Sequence, residues 1–302
     1  MSSTLFVINP HSRGGKTKSS WPKYLRHIEQ NYSHTFDFKM ADGIGSGYDI
    51  TRNAIDDGYT TLIGVGGEGT INELVNGIYF SQKTNLNLGF IQSGTVNDYQ
   101  QVIEWPKQIE EQIKALNVAQ TKITPLTFVS GDKERVALNI ADTGIGATIA
   151  YMASIERRLK WIKSGFRYTL LSLRAIRKWK NIGAKIRIDD RYIEGDLTLL
   201  MAGFSTQTGE YKILPHANIW GDQMAYTVAI GFSKLSMLKL LGVLKKGEHT
   251  EEISGVYMGH ANKISIETEK PLIFETDGEP FSYESTEIIV KAIPKAINVI
   301  QA

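Results

Sequence analysis

The stretch from Thr61 to Gly77 restricts this chain more than any other. Thr61-Leu62-Ile63-Gly64-Val65 is an apolar run of the length of one buried strand. Gly66-Gly67-Glu68-Gly69-Thr70 follows at once, and a helical pattern begins there. A chain that leaves a buried strand, turns through glycine and enters a helix belongs in an α/β layer. The same turn gathers backbone N–H groups at a helix N-terminus, where they point at an anion. Glycine lets the main chain approach that anion with no side chain between them, and Thr70 adds a hydroxyl at the same place. The spacing is neither the G-x-G-x-x-G of dinucleotide folds nor the G-x-x-x-x-G-K-[ST] of Walker loops. An ordinary tight turn uses the same residue types.

The alternation repeats through residues 4–120. Leu5–Ile8, Thr35–Met40, Leu62–Val65 and Leu86–Ile91 read as strands. Trp21–Glu29, with Pro22 in its first turn, Tyr48–Asp57, Thr70–Tyr79 and Pro106–Leu116 read as helices. Strands separated by helices predict a doubly wound, mostly parallel sheet, with ligands off the carboxyl ends of the strands. The loops Asn9–Lys16, Gly66–Thr70 and Gln92–Asp98 leave strands at that edge. From about residue 122 short β-rich runs take over, among them Ile123–Val129, Val136–Ile140 and Glu287–Ala292. Helical stretches near 148–180 and 233–246 interrupt them; Leu238, Leu241 and Val243 give the second a core-packing face. The expected architecture is an α/β nucleotide-binding domain over 1–122 and a β-rich sandwich domain over 123–289, with residues 290–302 returning to the first.

Composition narrows the chemistry. The chain has no cysteine, which removes disulfides and thiolate metal sites. A net charge of +2 gives no whole-molecule attraction to nucleic acid, so no such partner is expected. The N-terminal apolar run stops at Asn9-Pro10 and reads as a first strand, not a signal peptide. No apolar stretch approaches a bilayer span, and a cytoplasmic location is expected.

The run Gly66-Gly67-Glu68-Gly69-Thr70-Ile71-Asn72-Glu73-Leu74-Val75-Asn76-Gly77 resembles the GGDGTxNExxNG signature of the diacylglycerol kinase-like lipid kinases, with Glu68 in the place of Asp. Asn9-Pro10-His11-Ser12-Arg13-Gly14-Gly15-Lys16 is similar to that family's NPxSGxGK-like loop, Arg13 standing where glycine is usual. Ser93-Gly94-Thr95-Val96-Asn97-Asp98 resembles its PxGTxND segment; read alone it is an Asx-type turn capping a helix. The resemblance implies an ATP-dependent kinase acting on a lipid hydroxyl with Mg²⁺. It implies nucleotide contacts from Asn9, Pro10, Lys16, Gly66, Gly67, Glu68, Gly69, Thr70, Asn72, Glu73, Thr95 and Asp98. Met40, at the end of the second strand, takes the place of a family threonine in the same set. Glu68 and Asp98 are implied to bind the catalytic Mg²⁺ through water.

Phe274-Glu275-Thr276-Asp277-Gly278-Glu279-Pro280 carries the family's DGE motif. The resemblance makes Asp277 and Glu279 the acceptor-side catalytic carboxylates. On an extended chain the two share one side. Asp-Gly between two strands is also the strongest short hairpin signal. Pro215–Met224 is similar to the family's PxAxxxDDGxL stretch, implying a structural Mg²⁺ held by Asp222 with the carbonyls of Ile219 and Met224; Gly221 and Gln223 depart from that pattern. Asn139–Gly146 matches an N-x-x-x-x-G-x-G loop of the family.

Between Glu156 and Lys180 the chain is basic, with Arg157, Arg158, Lys160, Lys163 and Arg167 interleaved with aromatic residues. Such a run suits an anionic membrane surface, and a solvated helix face uses the same residues. The expected partners are a nucleotide and a lipid met at the membrane periphery; a homodimer is compatible with the sequence. Two alternatives stand beside the lipid kinase: an NAD kinase-like enzyme, and a non-catalytic nucleotide- or lipid-binding protein.

Overall fold

A computed structural model describes residues 3–93, 98–118, 120–156, 164–209 and 211–301. The chain divides into two compact units, one ending at Thr124 and resuming at Lys295, the other Pro125–Pro294.

In the first unit β1 (Thr4–Ile8), β2 (Phe36–Met40), β3 (Thr61–Gly66) and β4 (Asn87–Gln92) alternate with α1 (Lys16–Asn31), α2 (Ser46–Asp56), α3 (Glu68–Ser81), α4 (Asp98–Val102) and α5 (Ile109–Val118). The strand order is β2-β1-β3-β4, all parallel. Asn298 and Val299, near the chain end, pair in parallel with Asn87 and Leu88 on the outer side of β4. Strand order reverses between β1 and β3, since the chain moves outward to β2 and then back past β1 to β3. That reversal opens a crevice at the strands' carboxyl ends, where an open α/β sheet takes its ligand. Helices α1 and α5 pack together, as do α2 and α3. A core of Phe6, Ile8, Ile63, Val65 and Ile91 packs against Trp21, Ile28, Ile113 and Leu116.

The first helix differs from the sequence reading. It begins at Lys16, so Pro22 lies in its interior. Gly14 and Gly15, at φ 66° and 89°, turn the chain straight from the loop into the helix. Thr17, Trp21, Tyr24 and Ile28 then bury one stripe at helical spacing, while Pro22 faces solvent. Burial of that stripe offsets the roughly 3 kcal/mol of an interior proline.

The second unit is antiparallel. Its strands are β5 (Gln120–Ser130, which starts in the first unit), β6 (Glu134–Ala137), β7 (Ile140–Gly144), β8 (Ile182–Ile188), β9 (Arg191–Gly203), β10 (Met224–Ile230), β11 (Val256–Ala261), β12 (Lys263–Thr268), β13 (Ile273–Thr276), β14 (Glu279–Ser282) and β15 (Glu287–Gln301). They run in the order β14-β13-β7-β9-β8-β12-β15, with β10 and β11 continuing from β9 and β6 pairing β5. Alternating residues such as Ile186, Ile188, Leu200, Val228, Ile264, Ile266 and Phe274 build the core of this β sandwich. Helices α6 (Ile145–Ile155), α7 (Ser164–Lys178) and α8 (Lys234–Lys246) complete the unit.

Two expectations are corrected here. Val136–Ile140 is not one strand: the chain breaks at Leu138-Asn139 between β6 and β7. The backbone N–H groups at that break bind a side chain instead of a ladder partner, as described below. On α8 the core face is Met237, Leu240 and Leu244 with Leu241 packed beside them as expected, while Leu238 is 41% exposed. Among the described residues no helix is long and apolar enough to cross a membrane.

Candidate active site

The loops after β1, β3 and β4 meet at the β1/β3 reversal, and side chains tie each to the others. Asn9 leaves β1 with its N–H on the Val65 carbonyl at 2.9 Å. Its Nδ2 donates to Thr70 Oγ1 at 3.0 Å, joining the first loop to α3, and its Oδ1 accepts from His11 N at 3.0 Å. Ser12, Thr17 and Ser93 form a triangle of hydroxyls that joins the first loop to the third, with Ser93 Oγ 2.9 Å from each of the other two. Ser93 N also donates to the Gly66 carbonyl at 3.1 Å. Glu68 Oε1 accepts the N–H of Asp98 at 2.9 Å, so the second loop caps α4. Asp98 is itself buried, and the two acids stand at one place.

Gly67 is the N-cap of α3, and no side chain caps it. The first backbone bond of the helix runs from Ile71 N to the Gly67 carbonyl, at 3.2 Å. The N–H groups ahead of it have no partner within the helix, as at any helix start. Neighbouring glycines have internal reasons. A Cβ at Gly66 would stand 2.3 Å from Thr70 Oγ1, and one at Gly64 would stand 2.7 Å from Ile71 Cδ1. Gly67 has neither excuse. Its φ of −104° suits any residue, and a Cβ there meets no atom of the described residues within 4 Å. The start of α3 is therefore open space beside Gly67.

Pro10 is buried, and its carbonyl accepts Lys18 N at 3.2 Å. Lys16 opens α1 and is exposed, as is Met40 at the end of β2. Asn72 lies buried along α3, its Oδ1 accepting from Asn76 Nδ2 at 3.2 Å. Glu73 acts as a clamp within the first unit. Its two carboxylate oxygens accept the N–H groups of Gly45, at 2.6 Å, and Gly47, at 2.8 Å, and so hold the start of α2. Thr95 lies outside the described residues.

In the second unit Asp277 and Gly278 form a two-residue hairpin turn joining β13 to β14, with φ of 51° and 83°. Positive φ at both central positions is the type I′ turn that Asp-Gly favours. The extended-chain argument for placing Asp277 and Glu279 on one side therefore fails. Asp277 sits in the turn and is buried; Glu279 opens β14 opposite Thr276 and is exposed. The Asp277 carboxylate is held by the break between β6 and β7. Oδ2 accepts from Leu138 N at 2.8 Å, and Oδ1 from Asn139 N at 2.8 Å and Ile140 N at 3.2 Å. Asp277 N in turn donates to the Ile140 carbonyl at 3.1 Å.

Two family models match the chain. Residues 3–129 match the diacylglycerol kinase catalytic domain, and residues 139–301 match the YegS C-terminal NAD kinase beta sandwich-like domain. The chain belongs to the diacylglycerol kinase-like lipid kinase family. A diacylglycerol kinase of Staphylococcus epidermidis is 27% identical over 277 residues, covering 90% of this chain and 84% of the relative. That of Staphylococcus saprophyticus is 26% identical over 278 residues, covering 90% and 87%. The crystal structure of a diacylglycerol kinase from Bacillus anthracis superposes with a TM-score of 0.74 at 18% identity, covering all of this chain and 97% of that one. A yeast NADH kinase bound to NADH gives 0.50 at 10% identity, a likeness of fold alone. The family makes this chain a kinase, and its substrates a lipid and a nucleotide.

Other expected site residues of this kinase fall as follows. Ile219, Asp222 and Met224 lie in the turn entering β10, where Asn218 Oδ1 accepts Trp220 N at 3.0 Å. Asp222 is exposed, and among the described residues no group of three acids or histidines gathers as for a metal. Arg157, Arg158, Lys160 and Lys163 lie outside the described residues, while Arg167 falls on α7. Sequence reasoning missed the Ser12–Thr17–Ser93 triangle, although Ser12 lies in the loop after β1 and Ser93 in the loop after β4. It also missed Asp142 and Glu275, two buried acids facing each other from β7 and β13.

Proposed function

We propose that this kinase transfers the γ-phosphoryl group of ATP to the hydroxyl of a diacylglycerol-like lipid at a membrane surface. The observation that carries the nucleotide half is Gly67, which is small where nothing in the described protein requires it. The N-terminus of α3 with Gly66, Gly67, Gly69 and Thr70 is assigned to the phosphates, and Lys16 supplies a cation. Glu68 and Asp98 are oxygen donors in one place, which fits Mg²⁺ binding through water. When bound, Mg²⁺ offsets phosphate charge.

In the reaction a bond forms from the lipid oxygen to the γ-phosphorus, and the bond to the β-phosphate bridging oxygen breaks. The hydroxyl proton goes to a carboxylate. Asp277 is assigned that role, because the three backbone N–H groups hold it in one orientation. Glu279 is its acceptor-side neighbour.

Helices α6, α7 and α8 support the membrane reading. They contain no acid, and Tyr151, Ile155, Leu173, Leu235 and Leu238 are exposed on them. A cytoplasmic, peripheral location is part of this proposal. The test is transfer of labelled phosphate from ATP into lipids extracted from bacterial membranes, resolved by thin-layer chromatography, beside a reaction with NAD. A labelled phospholipid product supports the reading. Labelled NADP with no lipid product replaces it with an NAD kinase, and nucleotide binding without either product makes the chain a binding protein.

A further inference from the structure

The β7–β13 ladder carries two acids that phosphoryl transfer as described above does not use. Asp142 and Glu275 are direct cross-strand partners. Both are buried, 3% and 4% exposed, and their carboxyl groups hydrogen-bond each other. Two carboxylates have no hydrogen between them to share, so one member must be a carboxylic acid. The surroundings enforce this. Burial first, then the charges of Asp142 and Asp277, push Glu275 well above the ordinary carboxylate range; burial pushes Asp142 up as well. Among the described residues, no cation offsets them from the elements packed alongside. Helix α6 carries no acid or basic residue, Met201 faces Asp142 from β9, and Glu134 and Arg135 of β6 are exposed.

The pair is also joined to the turn. The backbone N–H of Gly278 donates to Glu275. On the other side, a Cβ at Gly146 would stand 2.4 Å from Asp142 Oδ2 and 2.8 Å from Met201 Cε, so α6 closes directly on the pair. The turn is gripped twice: Asp277 by the N–H groups of Leu138, Asn139 and Ile140, and Gly278 by Glu275.

We propose that Asp142 and Glu275 are positioning residues for Asp277: a carboxyl–carboxylate pair, joined by one proton across the β7–β13 ladder, that holds Gly278 and so fixes the turn carrying Asp277. The catalytic part of this inference rests on the assignment of Asp277 above. Loss of the shared proton leaves two facing charges in a buried ladder, which drives β13 away from β7 and releases the turn.

The test uses the full chain with Glu275→Gln, Glu275→Ala, Asp142→Asn and Asp277→Asn. Wild type shows an infrared carbonyl band of a protonated carboxyl at neutral pH, shifted in D₂O, and lost in both Glu275→Gln and Asp142→Asn. Amide exchange at residues 138–140 quickens in Glu275→Ala and is restored in Glu275→Gln, whose amide bridges the strands without a titrating proton. With ATP and mixed diacylglycerol–anionic phospholipid vesicles, Glu275→Ala loses about 100-fold in kcat at unchanged KM for ATP. Glu275→Gln recovers most of that rate and lacks the alkaline fall of the wild-type profile. An absent band, or equal exchange at 138–140 in the Ala and Gln variants, overturns the pair. Full activity in Asp277→Asn overturns the assignment of Asp277 instead, and the infrared and exchange readouts still decide whether the pair holds the turn.

Discussion

Gly67→Ala separates a ligand's demand from the protein's own. A Cβ at this position meets nothing within 4 Å among the described residues, and φ of −104° is open to alanine. Alanine is a poorer N-cap than glycine, while its stiffer unfolded chain favours folding by about 0.4–1 kcal/mol. These oppose each other, so the melting temperature should move by no more than about 2–4 °C. Nucleotide binding should behave otherwise. With the phosphates at the start of α3, as proposed, the added methyl group enters the space they need. Losing two charge-assisted bonds of about 1.5–3 kcal/mol each amounts to about 3–6 kcal/mol, or roughly two to four powers of ten in Kd. Titration calorimetry with ATP reads the affinity and scanning fluorimetry the stability. Gly64→Ala is the converse control. Its Cβ would press on Ile71 at 2.7 Å and Leu74 at 3.3 Å, which should lower stability by about 1–3 kcal/mol without touching the phosphate position. Wild-type ATP affinity in Gly67→Ala, or a loss of affinity that tracks a loss of stability, refutes the reasoning.

Glu73→Ala removes the clamp on Gly45 and Gly47 and should destabilise by about 2–4 kcal/mol in urea titrations, with no matching loss of nucleotide affinity below the transition. Loss of binding at unchanged stability would place Glu73 in the nucleotide site. Stability should also fall as pH rises. Glu275 is raised in the fold, so the native state holds a proton that the unfolded chain releases above its ordinary carboxylate value. Between the unfolded and folded values the native state binds one more proton. Stability therefore falls by about 1.4 kcal/mol per pH unit, fully present below that window and lost through it. Urea midpoints from mildly acid to alkaline pH check this, and Glu275→Gln should flatten the slope. Asp277→Asn keeps the acceptor for Asn139 and Ile140 but turns an NH₂ towards the Leu138 N–H. It should lower stability by about 1–3 kcal/mol and transfer to lipid by about 10²–10⁴-fold, read by unfolding and by labelled phosphate.

Most of the first unit was legible because its signals are local. Apolar runs bounded by turn residues placed β1, β3 and β4 to within a residue. Pro22 misled because a local rule put it at a helix start, whereas four buried residues on one stripe hold the longer helix together. The Asp277-Gly278 turn was legible as a hairpin. Treating Asp277 and Glu279 as extended neighbours ignored that a type I′ turn separates their directions. Glu68 in place of Asp was visible as a departure; its bond to the N–H of Asp98 was not. The Glu73 clamp and the Asp142–Glu275 pair depend on side chains meeting segments remote in sequence. Strand register and helix docking decide such meetings, and no local pattern carries them.

The acids of this kinase act in more than one way, and loss of activity on mutation does not tell them apart. Glu68 and Glu73 accept backbone N–H groups and hold the starts of α4 and α2. Asp277 is bound by three N–H groups, so it too has a structural share. A scan of alanines read by rate alone would label all of them catalytic. The distinction lies in how rate and stability move together. A clamp loses stability first and rate as a consequence, and an isosteric amide that still accepts one N–H restores part of both. A proton acceptor loses rate far beyond its loss of stability, and no amide restores it. Asp277→Asn set against Glu73→Gln, each measured for unfolding and for phosphate transfer, places the two acids on opposite sides of that line.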